Sequence, residues 1–91
     1  MDLKILIGKY KKAIVQLLDD VAIEKGYNNQ YDILGHVNSS NLELLKETKV
    51  FIQWSENVWQ EALFIMNQLL CGERSAPGVE QFLSELPVID W

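Results

Sequence analysis

The run N-L-E-L-L-K-E-T-K-V-F-I-Q-W-S-E-N-V-W-Q-E-A-L-F-I-M-N-Q-L-L-C, from Asn41 to Cys71, decides the fold. No Pro or Gly interrupts it, and the next glycine is Gly72. The reading is one helix over residues 40–71, roughly 45 Å long at about 1.5 Å per residue. Ser39, Ser40 or Asn41 can cap it, and Ser40 with Glu43 has the spacing of a capping box. Leu45, Ile52, Trp59 and Met66 repeat every seven positions, with Ala62 and Leu69 in the neighbouring row. Phe51, Val58 and Ile65 widen the stripe, as do Leu63 and Leu70. A face this broad predicts cover by more than one helix.

Upstream, Leu3, Leu6, Ile7, Tyr10, Ala13, Ile14, Leu17, Leu18 and Val21 recur at steps of three and four, one stripe of a helix over residues 2–25. Gly26 is its stop, because glycine takes the left-handed conformation freely. Between the two helices, Y-N-N-Q-Y-D-I-L-G-H-V-N (Tyr27 to Asn38) is rich in turn residues yet too apolar for a free linker. It reads as a loop packed across the helices with a helical turn near Tyr31 to Leu34. Downstream, Gly72 ends the long helix, and Pro77 opens a short third one over residues 77–86. The fold expected is all-α: a long antiparallel helical hairpin with a short C-terminal helix packed back. The long helix outruns the first by about two turns, so part of its stripe must meet the tail or another subunit. Val88, Ile89 and Trp91 follow Pro87 with Asp90 alone to keep them in water, so the tail should dock, either near Phe64 of its own chain or on a neighbour.

Ninety-one residues fit a single domain, 1–91, with a thin core. Hydrophobic residues at 48% and charged residues at 23% place it among globular rather than disordered chains. A net charge of −5 argues against general nucleic-acid binding. One cysteine excludes an internal disulfide, and no apolar run approaches the roughly 20 residues of a membrane span. The apolar patch from Leu3 to Ile7 is too short for a signal peptide.

Side chains for chemistry are sparse. His36 and Cys71 are the single histidine and cysteine, and no further ligand completes a usual metal site. Asp19 and Asp20 point about 100° apart on a helix and read as solvated charges. The five glycines are dispersed, so no phosphate loop exists. No catalytic residue, metal or cofactor is expected, and the chain reads as no enzyme. Lys4, Lys9, Lys11 and Lys12 make the first half of helix one basic. They suit an acidic partner, the acidic end of a neighbouring subunit, or a simple solvated face. The aromatics say more. Trp59 lies in the stripe and reads as core, whereas Phe64 has Gln60, Glu61, Asn67 and Gln68 around it and stands on the polar face. Trp54 sits at the stripe border and Trp91 ends the sequence. Such aromatics either pack under a tail or anchor a partner.

The order of short motifs carries a family resemblance. G-Y at Gly26 is followed by Y-D-I-L at Tyr31 to Leu34, then an Asn/Ser turn at Asn38 to Asn41. F-I-Q-W-S-E-N-V-W spans Phe51 to Trp59, and G-E-R-S-A-P-G-V-E-Q-F-L-S-E-L-P-V-I-D-W runs from Gly72 to Trp91. This order resembles a group of small tailed-bacteriophage and prophage proteins encoded among tail and tail-fibre genes. Their pattern is Y-D-x-I, W-x-x-x-V-W, G-x-R-x-x-P and a closing E-L-P-x-x-x-W. The chain departs from it at Ser55, where the family often has Arg, and in lacking an aromatic about ten residues past the Tyr31–Asp32 pair. The resemblance implies a non-enzymatic protein working by protein–protein contact, as a virion component or an assembly chaperone. It implies residence in the host bacterial cytoplasm during assembly, or in the virion. Trp54, Phe64, Arg74 and Trp91 are the candidate partner-binding residues. Self-association as a dimer or higher is expected, along with contact to tail or fibre proteins. The alternative is a small acidic inhibitor or regulator of a host protein, since acidic helical chains with surface aromatics suit basic partners.

Overall fold

A computed structural model describes residues 2–91. The fold is all-α: α1 (Leu3–Glu24), α2 (Gln30–Leu34), α3 (Leu42–Leu70) and α4 (Val79–Ser84). No strand forms among the described residues. α1 and α3 run antiparallel. At one end, Tyr27 donates from its hydroxyl to Glu47 at 2.7 Å, just past the end of α1 and near the start of α3. At the other end, Tyr10 of α1 donates to the carbonyl of Pro77, beyond the end of α3. Along α3 the molecule measures 47 Å, and it is 19 by 18 Å across.

Both long helices end as their glycines dictate. Gly26 has φ +105° and Gly72 has φ +72°. In each case the glycine N–H reaches back to Ile23 or Leu69, and the following N–H reaches Ala22 or Gln68. This pairing caps otherwise orphaned carbonyls. At the start of α3, Asn41 is the cap, accepting from the N–H groups of Glu43 and Leu44. The helix thus begins one residue later than a Ser40–Glu43 box requires. α4 is also shorter than 77–86. The Pro77 carbonyl is held by Tyr10, Gly78 is the cap, and the last turn tightens through Glu85 N–H to Phe82 and Leu86 N–H to Leu83.

α1 buries Leu6, Tyr10, Ile14, Leu18 and Ala22, all at steps of four. Each such step turns about 40° beyond a full rotation, so the buried stripe winds round the helix. Its early part faces α4, where Tyr10 stacks on Phe82 with ring centres 4.1 Å apart. Its late part faces α2. There Gln30 at the start of α2 donates from both its backbone and its amide to Asp19, at 3.1 and 3.2 Å. Asp19, read as a solvated charge, thus pins α2 to α1. Between α2 and α3 the buried Thr48 hydroxyl lies 2.8 Å from the Leu44 carbonyl and 3.0 Å from that of Ile33. One hydroxyl proton is shared between them.

α3 buries Phe51, Val58, Ala62, Ile65 and Leu69, with Trp54 on one edge and Thr48 and Met66 on the other. The seven-residue row of Leu45, Ile52 and Trp59 lies on the flank and is half-buried. Trp59 is therefore a flank residue rather than core. Two equally apolar rows lie about 100° apart on this helix, and the tail selects between them by covering Trp54.

These positions separate in stability. Phe82→Ala, which empties a fully buried site against Tyr10, should cost about 3–5 kcal/mol in urea unfolding. Trp59→Ala should cost less than about 2 kcal/mol. A larger loss at Trp59 than at Phe82 would contradict the helical phase described.

Candidate interaction surface

The four candidate partner-binding residues take different places. Trp54 is buried, and its indole N–H donates to the Pro87 carbonyl at 2.8 Å. That carbonyl is available because Pro87 lies beyond the end of α4. A buried indole needs an acceptor, and the tail of its own chain supplies one. Trp54 is thus an internal anchor and not an exposed one.

Arg74 forms a two-point fork with Glu85, at 2.8 and 2.9 Å. The pair ties the loop after α3 to the end of α4. The Arg74 hydrogen bonds hold the Glu85 carboxyl below the usual glutamate range, and the same bonds raise the Arg74 guanidinium. Bidentate geometry makes this pair more ordered than most surface ion pairs. It engages the Nη1 and Nη2 sides of the guanidinium with a residue of the same chain.

Trp91 stays 36% exposed but touches two side chains. Its ring stacks near Phe51, with centroids 6.5 Å apart and planes 17° from parallel. Lys25 Nζ lies over the same ring, 5.0 Å from its centroid, a cation–π contact worth about 0.5–1 kcal/mol at a surface. Leu86 is buried and Ile89 packs against the core. The tail therefore docks within the chain, but on Trp54 and Phe51, which neither of the two expected sites included.

Phe64 stays 59% exposed on the outer side of α3. It lines a shallow groove of about 530 Å³ with Asn57, Gln60, Glu61, Glu85 and Pro87. A second groove, about 430 Å³, lies along α3 from Lys49 and Gln53 to Asn57, bordered by Pro87 and Val88. Asn57 and Pro87 belong to both, so the two form one trough between α3 and the strapped tail. Tyr31, at the surface of α2, is 70% exposed. It was legible in the sequence as part of the Y-D-I-L turn but not as an exposed ring.

α3 separates His36 from Cys71, and its 29 residues span about 43 Å, so the two cannot share a site. His36 sits 3.8 Å from Asp32 and packs beside Tyr27. Among the described residues no cluster of three His, Cys, Asp or Glu side chains could hold a metal. No helix is long and apolar enough to cross a membrane.

Burial pushes the Tyr27 hydroxyl up to about 12, with its hydrogen bond to Glu47 and that carboxylate's charge adding to the shift. Burial also raises Tyr10. A raised folded-state value means the stabilisation is complete below the unfolded tyrosine value near 10 and is lost as pH rises towards 12. Thermal melts should therefore fall steeply across the alkaline range, and Tyr27→Phe should flatten that fall while lowering the melting temperature at neutral pH. An unchanged alkaline slope in Tyr27→Phe would contradict the assignment.

No family model matches this chain, and comparison with curated proteins and with solved structures finds no significant match.

Proposed function

We propose that the chain is a non-enzymatic phage or prophage protein of the tail or tail-fibre module, acting by protein–protein contact as a virion component or an assembly chaperone. It associates with itself and with tail or fibre proteins. The observation that carries this reading is the uncovered Phe64 beside the trough between α3 and the tail. An aromatic ring on an otherwise polar helix face, next to a groove lined by the amides of Asn57 and Gln60 and the carboxylates of Glu61 and Glu85, has the makeup of a contact site with a water-tolerant rim. The motif order from Tyr31 to Trp91 supplies the tail-module context by resemblance.

Several residues of that motif hold the fold together. Trp54, Pro87, Arg74, Glu85 and Trp91 strap the tail to the hairpin. The resemblance therefore speaks for a shared scaffold, and the partner is chosen by what the scaffold leaves exposed, Phe64 and Tyr31. A net charge of −5 also suits inhibition of a basic host protein, and the same experiment separates the two readings.

Replacing Phe64 with a photo-crosslinking residue in cells assembling particles should link the chain to a tail or fibre subunit. Phe64→Ala should abolish that contact while shifting stability by no more than about 0.5 kcal/mol. A crosslink to a host enzyme instead would overturn the tail-module reading in favour of the inhibitor. Mass spectrometry of purified particles then distinguishes a component, present at fixed stoichiometry, from a chaperone, which is absent.

A further inference from the structure

α1 carries a segregated charge pattern whose acidic half is partly engaged, Asp19 by Gln30 and Asp20 by Gln16, and whose lysines its own chain leaves unpaired among the described residues. Lys4, Lys9, Lys11 and Lys12 lie in its first half, and Asp19, Asp20 and Glu24 in its second. The four lysines are all exposed. None of them forms an ion pair among the described residues, where the pairs are Lys25–Glu47, His36–Asp32 and Arg74–Glu85. The pattern also runs against the helix. No acidic residue lies in the first turn of α1 and no basic residue in its last, although the macrodipole favours anions at the start and cations at the end.

Two large apolar side chains stand on the same outer face, Ile5 at 58% exposure and Ile23 at 53%. The residues joining them are Lys9, Lys12, Gln16 and Asp19, so the face reads 5, 9, 12, 16, 19, 23. Steps of four and three alternate along it, which is the spacing of a helix–helix seam.

We propose that this face binds a second copy of itself, antiparallel, about a two-fold axis passing over the midpoint of α1 between Lys12 and Gln16. This inference rests on the self-association proposed above and names the surface that performs it. A two-fold contact uses the same patch on both copies, so every pairing occurs twice. Antiparallel registration about that axis sets Ile5 against Ile23 of the second copy. It places Lys9 beside Asp20 of the second copy, and Lys12 on the same flank as Asp19 of the second copy. Lys12 meets Gln16. The lysine half of each helix lies along the acidic half of the other, and each helix start lies beside the other's end. Parallel pairing would set lysine against lysine and acid against acid. The charge pattern therefore selects both the partner and its direction.

The tail and the trough beside Phe64 lie against α3. The α1 face can thus join two copies while each trough stays open to a different partner.

Sedimentation equilibrium of the full chain tests this, with circular dichroism confirming that each variant folds. The wild-type chain should dimerise, with association weakened about tenfold or more between roughly 0.05 M and 0.5 M salt, where screening shortens. The double variant Lys9→Glu with Lys12→Glu makes the face uniformly acidic and should be monomeric. Gln16→Lys with Asp20→Lys leaves Asp19, held by Gln30, as the one carboxylate on the face and should also be monomeric. Mixed in equal amounts, the two variants should form a heterodimer. A wild-type monomer at high micromolar concentration would overturn both the self-association and this surface. A wild-type dimer that both variants retain would overturn the surface alone and point to another face, such as the half-buried row at Trp59.

Discussion

The hydrogen bond from the Trp54 indole to the Pro87 carbonyl is the constraint on which the remaining arrangement depends. Two amphipathic helices with stripes this wide cannot cover each other completely, and a buried indole N–H left without an acceptor would cost about 1–3 kcal/mol. A carbonyl released at the end of α4 meets both needs. Its capture draws Trp54 inward and turns α3 so that the Phe51–Val58–Ile65 row faces α1. It also directs the last residues towards the start of α3, where Trp91 meets Phe51 and Lys25. The Arg74–Glu85 fork sets the starting point of that strap. Phe64 lies outside its course and remains at the surface.

The winding of the α1 stripe explains why two short helices suffice to complete so thin a core. Buried positions at steps of four turn the contact face progressively, so α4 and α2 engage opposite parts of one helix without competing. Tyr10 against Phe82 closes one end, and Asp19 with Gln30 closes the other. Both contacts are local substitutes for the larger core that a 91-residue chain lacks. Apart from Asp19, the outer face of α1 takes no part in them, and its lysines form no ion pair among the described residues.

The sequence made the helices legible because their signals are local. Gly26 and Gly72 stop α1 and α3 through a backbone conformation that glycine alone adopts readily, and the apolar spacing of both helices carries directly into their buried faces. Rotational phase was not legible. Leu45–Ile52–Trp59 and Phe51–Val58–Ile65 are equally periodic, and the choice between them comes from Pro87, 33 residues beyond Trp54. For the same reason Trp54, Arg74 and Trp91 read as partner anchors. Each has a satisfying contact, but that contact lies far along the chain and spacing does not reveal it. Phe64 was legible because its neighbours at three and four residues are polar, a property its own helix defines.

The exchange rates of the three tryptophan indole protons, followed by NMR in deuterated water, test the account most directly. The Trp54 indole proton should exchange slowly, at a rate set by global unfolding, because both its burial and its bond to Pro87 must be lost first. The indole protons of Trp59 and Trp91 should exchange quickly. Fast exchange at all three would mean that the tail is not strapped across Trp54, and the turn of α3, the exposure of Phe64 and the reading built on them would lose their physical basis.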